Sequence, residues 1–253
     1  MRLIITCASL FVSALAMAAD LPPPEATEVW QPVPPIVKPG SREGAPPSDA
    51  IVLFDGKSLD GWESAKGGPA KWKAANGELT VVPETGDIQT KQKFGDVQLH
   101  VEWRTPADLP ADKKGQDRGN SGVYLQGLYE VQVLDSLENR TYSNGQAGAI
   151  YKQSVPLANP ARPAGQWQTY DIVFVAPRFN ADGSVKSPAR MTVFFNGVLV
   201  QYDFKLKGPT IYQGQPSYKA HGDAPLLLQE HHHAVSFRNV WIRKLNLGDE
   251  VRK

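Results

Sequence analysis

Cysteine is almost absent from this chain: its single copy, Cys7, lies inside the first apolar stretch. A chain cleaved after that stretch has no thiol. Disulfide staples, thiolate nucleophiles and cysteine metal ligands are thereby excluded from the folded part. A surplus of either charge is absent too. The 27 basic and 26 acidic residues nearly cancel, and loss of Arg2 with the leader makes the balance even. This argues against nucleic acid or an anionic membrane surface as the target and favours a neutral ligand. Long apolar runs are also missing. Leu3–Ala16, broken by Thr6 and Ser9, is too short to cross a bilayer. Arg2 before it and Ala16-Met17-Ala18-Ala19 after it give the pattern of a secretory signal peptide over residues 1–19. Export to the periplasm or the extracellular space is therefore expected, with no transmembrane segment in the mature chain. Helical periodicity is the last absence, and it points away from helical folds.

Proline and alternating strands fill the space instead. Pro22-Pro23-Pro24, Pro32, Pro34-Pro35, Pro39 and Pro46-Pro47 make residues 20–48 a stiff, extended linker that cannot build a core. From Ile51 the pattern changes. Val97–Arg104 alternates without a fault, with Val97, Leu99, Val101 and Trp103 on one face and His100, Glu102 and Arg104 on the other. Further strands are expected at 78–82, 87–90, 121–125, 129–134, 168–175, 190–195, 199–204, 226–228 and 235–243. Asn196-Gly197 is a two-residue hairpin turn, and Gln126-Gly127-Leu128 joins two strands just as tightly. Many short antiparallel strands with glycine turns mean an all-β sandwich or barrel. One such domain is expected over 49–246, with a short tail at 247–253. Loops at 105–120, 136–166 and 205–225 are long enough to carry or flank a site.

Polar residues gather on one pair of strands. Arg118-Gly119-Asn120-Ser121-Gly122-Val123-Tyr124 is followed by Tyr129-Glu130-Val131-Gln132-Val133-Leu134-Asp135. If Val131 and Val133 point inward, Glu130 and Gln132 share the other face, about 7 Å apart along the strand. Tyr124 and Gln126 join that face by the same period. Amides, a phenol and an acid offer many hydrogen bonds and little net charge, which suits a sugar. Glu130-x-Gln132-x-x-Asp135 is close to the Glu-x-Asp-x-x-Glu strand of laminarinase-type glycosidases. A retaining glycosidase needs two carboxyl groups about 5–5.5 Å apart, and here the central position is an amide. Glu230-His231-His232-His233 supplies histidines, which as a residue type titrate near neutrality and serve as general bases. Glu130 and His231 are candidate ligands for a divalent metal, although no ligand spacing typical of zinc accompanies them.

Leu53-Phe54-Asp55-Gly56-Lys57-Ser58-Leu59-Asp60-Gly61-Trp62 resembles the opening of the 3-keto-disaccharide hydrolase family. The two motifs above extend the resemblance, with Gly148-Ala149-Ile150-Tyr151, Asn196-Gly197 and Val235–Arg243. One departure stands out: the family's Gln-Asp-His-Gly is here Gln229-Glu230-His231-His232. The resemblance implies a concanavalin-like jelly roll of two antiparallel sheets and a sugar oxidised at C3 as substrate. It implies cleavage by loss of the C2 proton, expulsion of the C1 substituent and addition of water, and a separate sugar 3-dehydrogenase upstream. On that basis His231 or Glu130 is the base, with Asp135 as its orienting partner. Arg118, Asn120 or a divalent metal would stabilise the enolate. Tyr151 and Lys152 would serve the leaving sugar. Tyr124 and Gln132 would bind substrate, and Glu102 would extend the cleft. A non-catalytic carbohydrate-binding module of the same fold is the rival reading.

Overall fold

Fifteen strands and two 3-10 turns carry the described residues, 21–247, of the computed structural model. The expected signal peptide over 1–19, and all but the first residue of the 247–253 tail, lie outside them. No described helix is long and apolar enough to cross a membrane. The chain divides into two compact units, at Ile36 and Val37. Residues 21–36 of the first unit hold one 3-10 turn, Pro24–Thr27, and are almost wholly exposed.

The second unit contains every strand: β1 (Ile51–Phe54), β2 (Trp62–Ser64), β3 (Lys73–Ala75), β4 (Glu78–Thr80), β5 (Ile88–Phe94), β6 (Val97–Arg104), β7 (Ser121–Leu125), β8 (Tyr129–Val133), β9 (Gln168–Val175), β10 (Arg178–Phe179), β11 (Val185–Ser187), β12 (Arg190–Phe195), β13 (Val198–Lys205), β14 (Ala224–Leu228) and β15 (Ser236–Lys244). An eight-stranded antiparallel sheet runs β13-β12-β9-β6-β15-β4-β3, with β1 also paired to β15. A five-stranded sheet runs β2-β5-β14-β7-β8, and β10-β11 form a separate ribbon.

The alternation read from the sequence packs these sheets face to face. Val97, Leu99, Val101 and Trp103 are buried, as are Val123, Leu125, Val131 and Val133 from the smaller sheet. Aromatic rings knit the layers. Within the larger sheet Trp103 packs 5.2 Å from Tyr170 and 5.7 Å from Phe195, and across the layers Tyr129 of β8 lies 5.5 Å from Phe174 of β9. Trp62, Trp72 and Trp241 are buried as well, so none of them is a sugar platform.

Residues 37–48 belong to this unit, although their prolines read as linker. Lys38 and Ser48 exchange backbone and side-chain hydrogen bonds. The Gly44 carbonyl accepts from Asn239 Nδ2 at 2.7 Å and from Trp241 Nε1 at 2.9 Å. This strap lies over His100 and covers the outer face of β6. His100 and Glu102 are therefore buried, where alternation alone would leave them in solvent.

Candidate active site

The β7–β8 hairpin builds the site. Its register places Tyr124 opposite Glu130 and Gly122 opposite Gln132. Directly opposed side chains on one face lie about 4.5–5.5 Å apart, so these residues touch. Gly122 is there for space. A Cβ on it would fall 2.6 Å from the Tyr124 ring and 2.7 Å from the Glu130 carboxyl. Glu130 itself is buried. Burial pushes its carboxyl up to about 8; the nearby charge of Asp87 adds to this, while the Tyr124 hydroxyl opposes it. Burial and the Glu130 charge in turn drive the Tyr124 phenol upward, so it stays a hydrogen-bond donor.

A chain of amides fixes the next position. Gln116 Nε2 donates to the Gly145 carbonyl at 2.9 Å, which leaves Gln116 Oε1 as the acceptor for Gln132 Nε2 at 2.8 Å. Gln132 Oε1 is then a buried acceptor with no partner. Such an atom costs about 1–3 kcal/mol unless a donor reaches it. The backbone of β8 is closed along its edge by residues 148–151. Gln132 N donates to the Ala149 carbonyl, Gly148 N to the Gln132 carbonyl, and Tyr151 N to the Glu130 carbonyl. Tyr170 of the other sheet donates its hydroxyl to that same Gln132 carbonyl at 2.6 Å.

The histidine loop leaves the end of β14. Gln229 N donates to the Gly122 carbonyl, and Gln229 Nε2 donates to the Tyr124 hydroxyl at 3.1 Å. Glu230 turns away: its backbone N–H donates to Asp87 Oδ1 at 2.8 Å, and its carboxylate accepts from His232 N. His231 is thereby held at the rim with its ring parallel to that of His233, 6.5 Å away.

Together these residues line a cavity of about 160 Å³. Of the sequence candidates, Asn120, Tyr124, Glu130, Gln132, Tyr151 and His231 meet there. Lys152 lines a neighbouring cavity that shares Tyr151 and Tyr212 with the first. Glu130 is the one carboxylate on the first cavity's wall among the described residues.

Four candidates, Arg118, Asp135, Glu102 and Gln126, are placed elsewhere. β8 ends at Val133, so Asp135 leaves the sheet and pairs with Arg118 Nε at 2.6 Å. It therefore orients Arg118, not a base, and neither residue lines the cavity. Glu102 sits on the eight-stranded sheet, bound by Arg238 at 2.5 Å and Asn239 at 2.8 Å beside a separate cavity. It cannot extend a cleft built on the other sheet. Gln126 falls in the hairpin turn, and its Nε2 donates to the Phe94 carbonyl, away from Tyr124. For Asp135→Asn we expect a loss of about 1–3 kcal/mol in urea unfolding, since Arg118 keeps a half-buried charge without its partner. Turnover in the folded variant should stay within a few-fold of the parent.

As for a metal, no three His, Cys, Asp or Glu side chains converge among the described residues. Glu130 and His231 would have to be completed by neutral oxygens, an incomplete donor set for a divalent ion. No step is assigned to one.

Sequence reasoning missed Thr210, Tyr212, Gln229 and Asp87. Thr210 Oγ1 accepts from the Glu130 backbone N–H at 3.1 Å, and Tyr212 is exposed beside it. Both come from a loop with no periodicity to read. Burial and the Glu230 charge raise the Asp87 carboxyl, while the Glu230 N–H opposes; in the sequence it marks only the start of a strand.

Two antiparallel sheets packed as a jelly roll, with a polar cleft on the smaller one, define the concanavalin-like class. Within it the chain belongs to the family of the 3-keto-alpha-glucoside-1,2-lyase-like domain, whose model matches residues 49–243. A solved structure from Parabacteroides distasonis ATCC 8503, provisionally described as a glycosyl hydrolase, is 51% identical, covering 88% of this chain and 97% of that one at a TM-score of 0.83. A second from the same organism, similarly described, is 21% identical over 78% and 94% of the two chains, with a TM-score of 0.59, and shares the fold. No curated protein matches the chain.

Proposed function

We propose that this is an exported enzyme that cleaves 3-keto-glycosides by elimination and hydration, acting after a sugar 3-dehydrogenase has oxidised the ring. The observation that carries this reading is the buried carboxyl of Glu130 on the cavity wall, opposed across the hairpin to a phenol that stays protonated. A ketone at C3 acidifies the C2 proton. Glu130 takes that proton; its raised pKa makes it a stronger base than an ordinary carboxylate. The electron pair moves onto the C3 oxygen, where Tyr124 donates, backed by Gln229. Adjacent carbons thus meet adjacent side chains. The enolate then re-forms the ketone and expels the C1 oxygen with its bonding pair, leaving a C1–C2 double bond. His231 at the rim supplies the departing oxygen's proton. Addition of water at C1 and return of a proton to C2 complete a net hydrolysis. No second carboxylate is required, which accounts for Gln132 where a retaining glycosidase keeps an acid.

The test is turnover of 3-keto-trehalose in deuterated water. Release of the second sugar with deuterium at C2 of the keto sugar is expected. Release without label would point to direct hydrolysis, and tight binding without release would leave a lectin-like module.

A further inference from the structure

The overall charge balance conceals a local asymmetry. Beside the Glu130 cavity lies a second one of about 290 Å³. The two share Tyr151 and Tyr212, so they adjoin at these two rings. Lys152 and Lys207 line that space with Asn144 and Gln215, and among the described residues no carboxylate lines it. Gln153 is committed elsewhere, to the carbonyls of Gly208 and Pro209.

Lys152 is held in place. Its φ of 57° lies in the left-handed region that non-glycine residues seldom adopt. Its Nζ donates to the Tyr212 carbonyl at 3.0 Å and stands 4.4 Å from the Tyr212 ring centre and 5.2 Å from that of Tyr142. An ammonium has three donors, so two remain for a ligand. A long side chain otherwise gives up considerable rotamer freedom on binding; here most of that ordering precedes the ligand.

We infer that the second cavity is the leaving-group subsite and that it selects leaving groups bearing a carboxylate or a similar anion. The assignment of which end of the substrate enters rests on the proposed function. Both lysines are exposed, so the preference is moderate and salt-sensitive.

The experiment compares two 3-keto-glucosides that differ only in the leaving group, 3-carboxyphenyl against 3-carbamoylphenyl. At low salt kcat/KM should favour the carboxylate by about tenfold, shrinking toward parity near ~0.5 M salt. The preference should also vanish in Lys152→Met/Lys207→Met. Lys207→Met alone, at an exposed position, should remove part of it. Parity in the parent protein, or a preference untouched by the double substitution, overturns the inference. Binding of 3-hydroxybenzoate by calorimetry is measured in parallel. Saturable binding lost in the double variant supports the subsite even if neither glucoside is cleaved, an outcome that would instead remove the proposed function. Absence of binding to the parent protein at millimolar ligand overturns the subsite itself.

Discussion

Glu130→Gln should cut turnover about a thousandfold and, at alkaline pH, make the protein more stable. The loss of activity follows from the proposed role of the carboxyl as base, for which about a thousandfold drop in kcat is expected. The gain in stability follows from its burial. The folded carboxyl titrates at about 8 against an ordinary 4.5. Between those values the folded protein holds a proton that the unfolded chain has released. Stability therefore falls as pH rises through this window, by about 3–5 kcal/mol in total. Glutamine removes the titration and leaves the shape. Urea unfolding at pH 5 and pH 9 should show a large difference for the parent protein and a much smaller one for Glu130→Gln. The parent's kcat/KM should climb with pH through about 8, because only the ionised carboxyl takes a proton. Identical pH dependence of stability in the two proteins would show that Glu130 is not the buried acid described.

The second large effect is expected from one methyl group. In Gly122→Ala the new Cβ falls 2.6 Å from the Tyr124 ring and 2.7 Å from Glu130 Oε1. The backbone φ at this glycine is not in the left-handed region, so space is the whole issue. What must give way is the working end of Tyr124 or Glu130. Overpacking of this kind costs about 1–3 kcal/mol. Catalysis should suffer more, by about a hundredfold in kcat, because small misplacements of reacting groups are costly. Thermal unfolding and steady-state kinetics on the same preparation separate the two. Near-parental kcat in Gly122→Ala would mean that the Glu130–Tyr124 pairing is not the reacting geometry.

How much of this could be read from the residues depends on what period two encodes. It encodes which face of a strand a side chain occupies. For that reason 97–104, 121–125, 168–175 and 190–195 match strands β6, β7, β9 and β12 in bounds, and Val97, Leu99, Val101 and Trp103 share the buried inner face as read. It also placed Tyr124, Glu130 and Gln132 on one face. It does not encode which sheet a strand joins, so Glu102 looked like a neighbour of a cleft that stands on the opposite layer. Nor does it encode what covers a face: the 37–48 strap over His100 is built of prolines whose anchoring comes from carbonyls and distant side chains. Asp135 misled for a third reason, since alternation ends where the strand does. Tyr212 and Thr210 reach the site through loop geometry, which leaves no periodic trace. Net charge, finally, averages over the surface and hid the two lysines of the second cavity.

The strap has a meaning for the proposed exported enzyme, which would meet whatever acidity its surroundings impose. Burial alone would lower His100, yet Asp171 at 2.7 Å and Glu102 at 3.7 Å carry it up to about 9. Glu102 shows the converse: burial would raise it, but His100, Asn239 and Arg238 bring it down to about 2. Between those limits neither group changes its charge. The surroundings of the 37–48 strap are thus indifferent to pH, while the buried Glu130 carboxyl on the far layer is sensitive to it. One sandwich carries a weatherproof seam on one side and a proton gauge on the other.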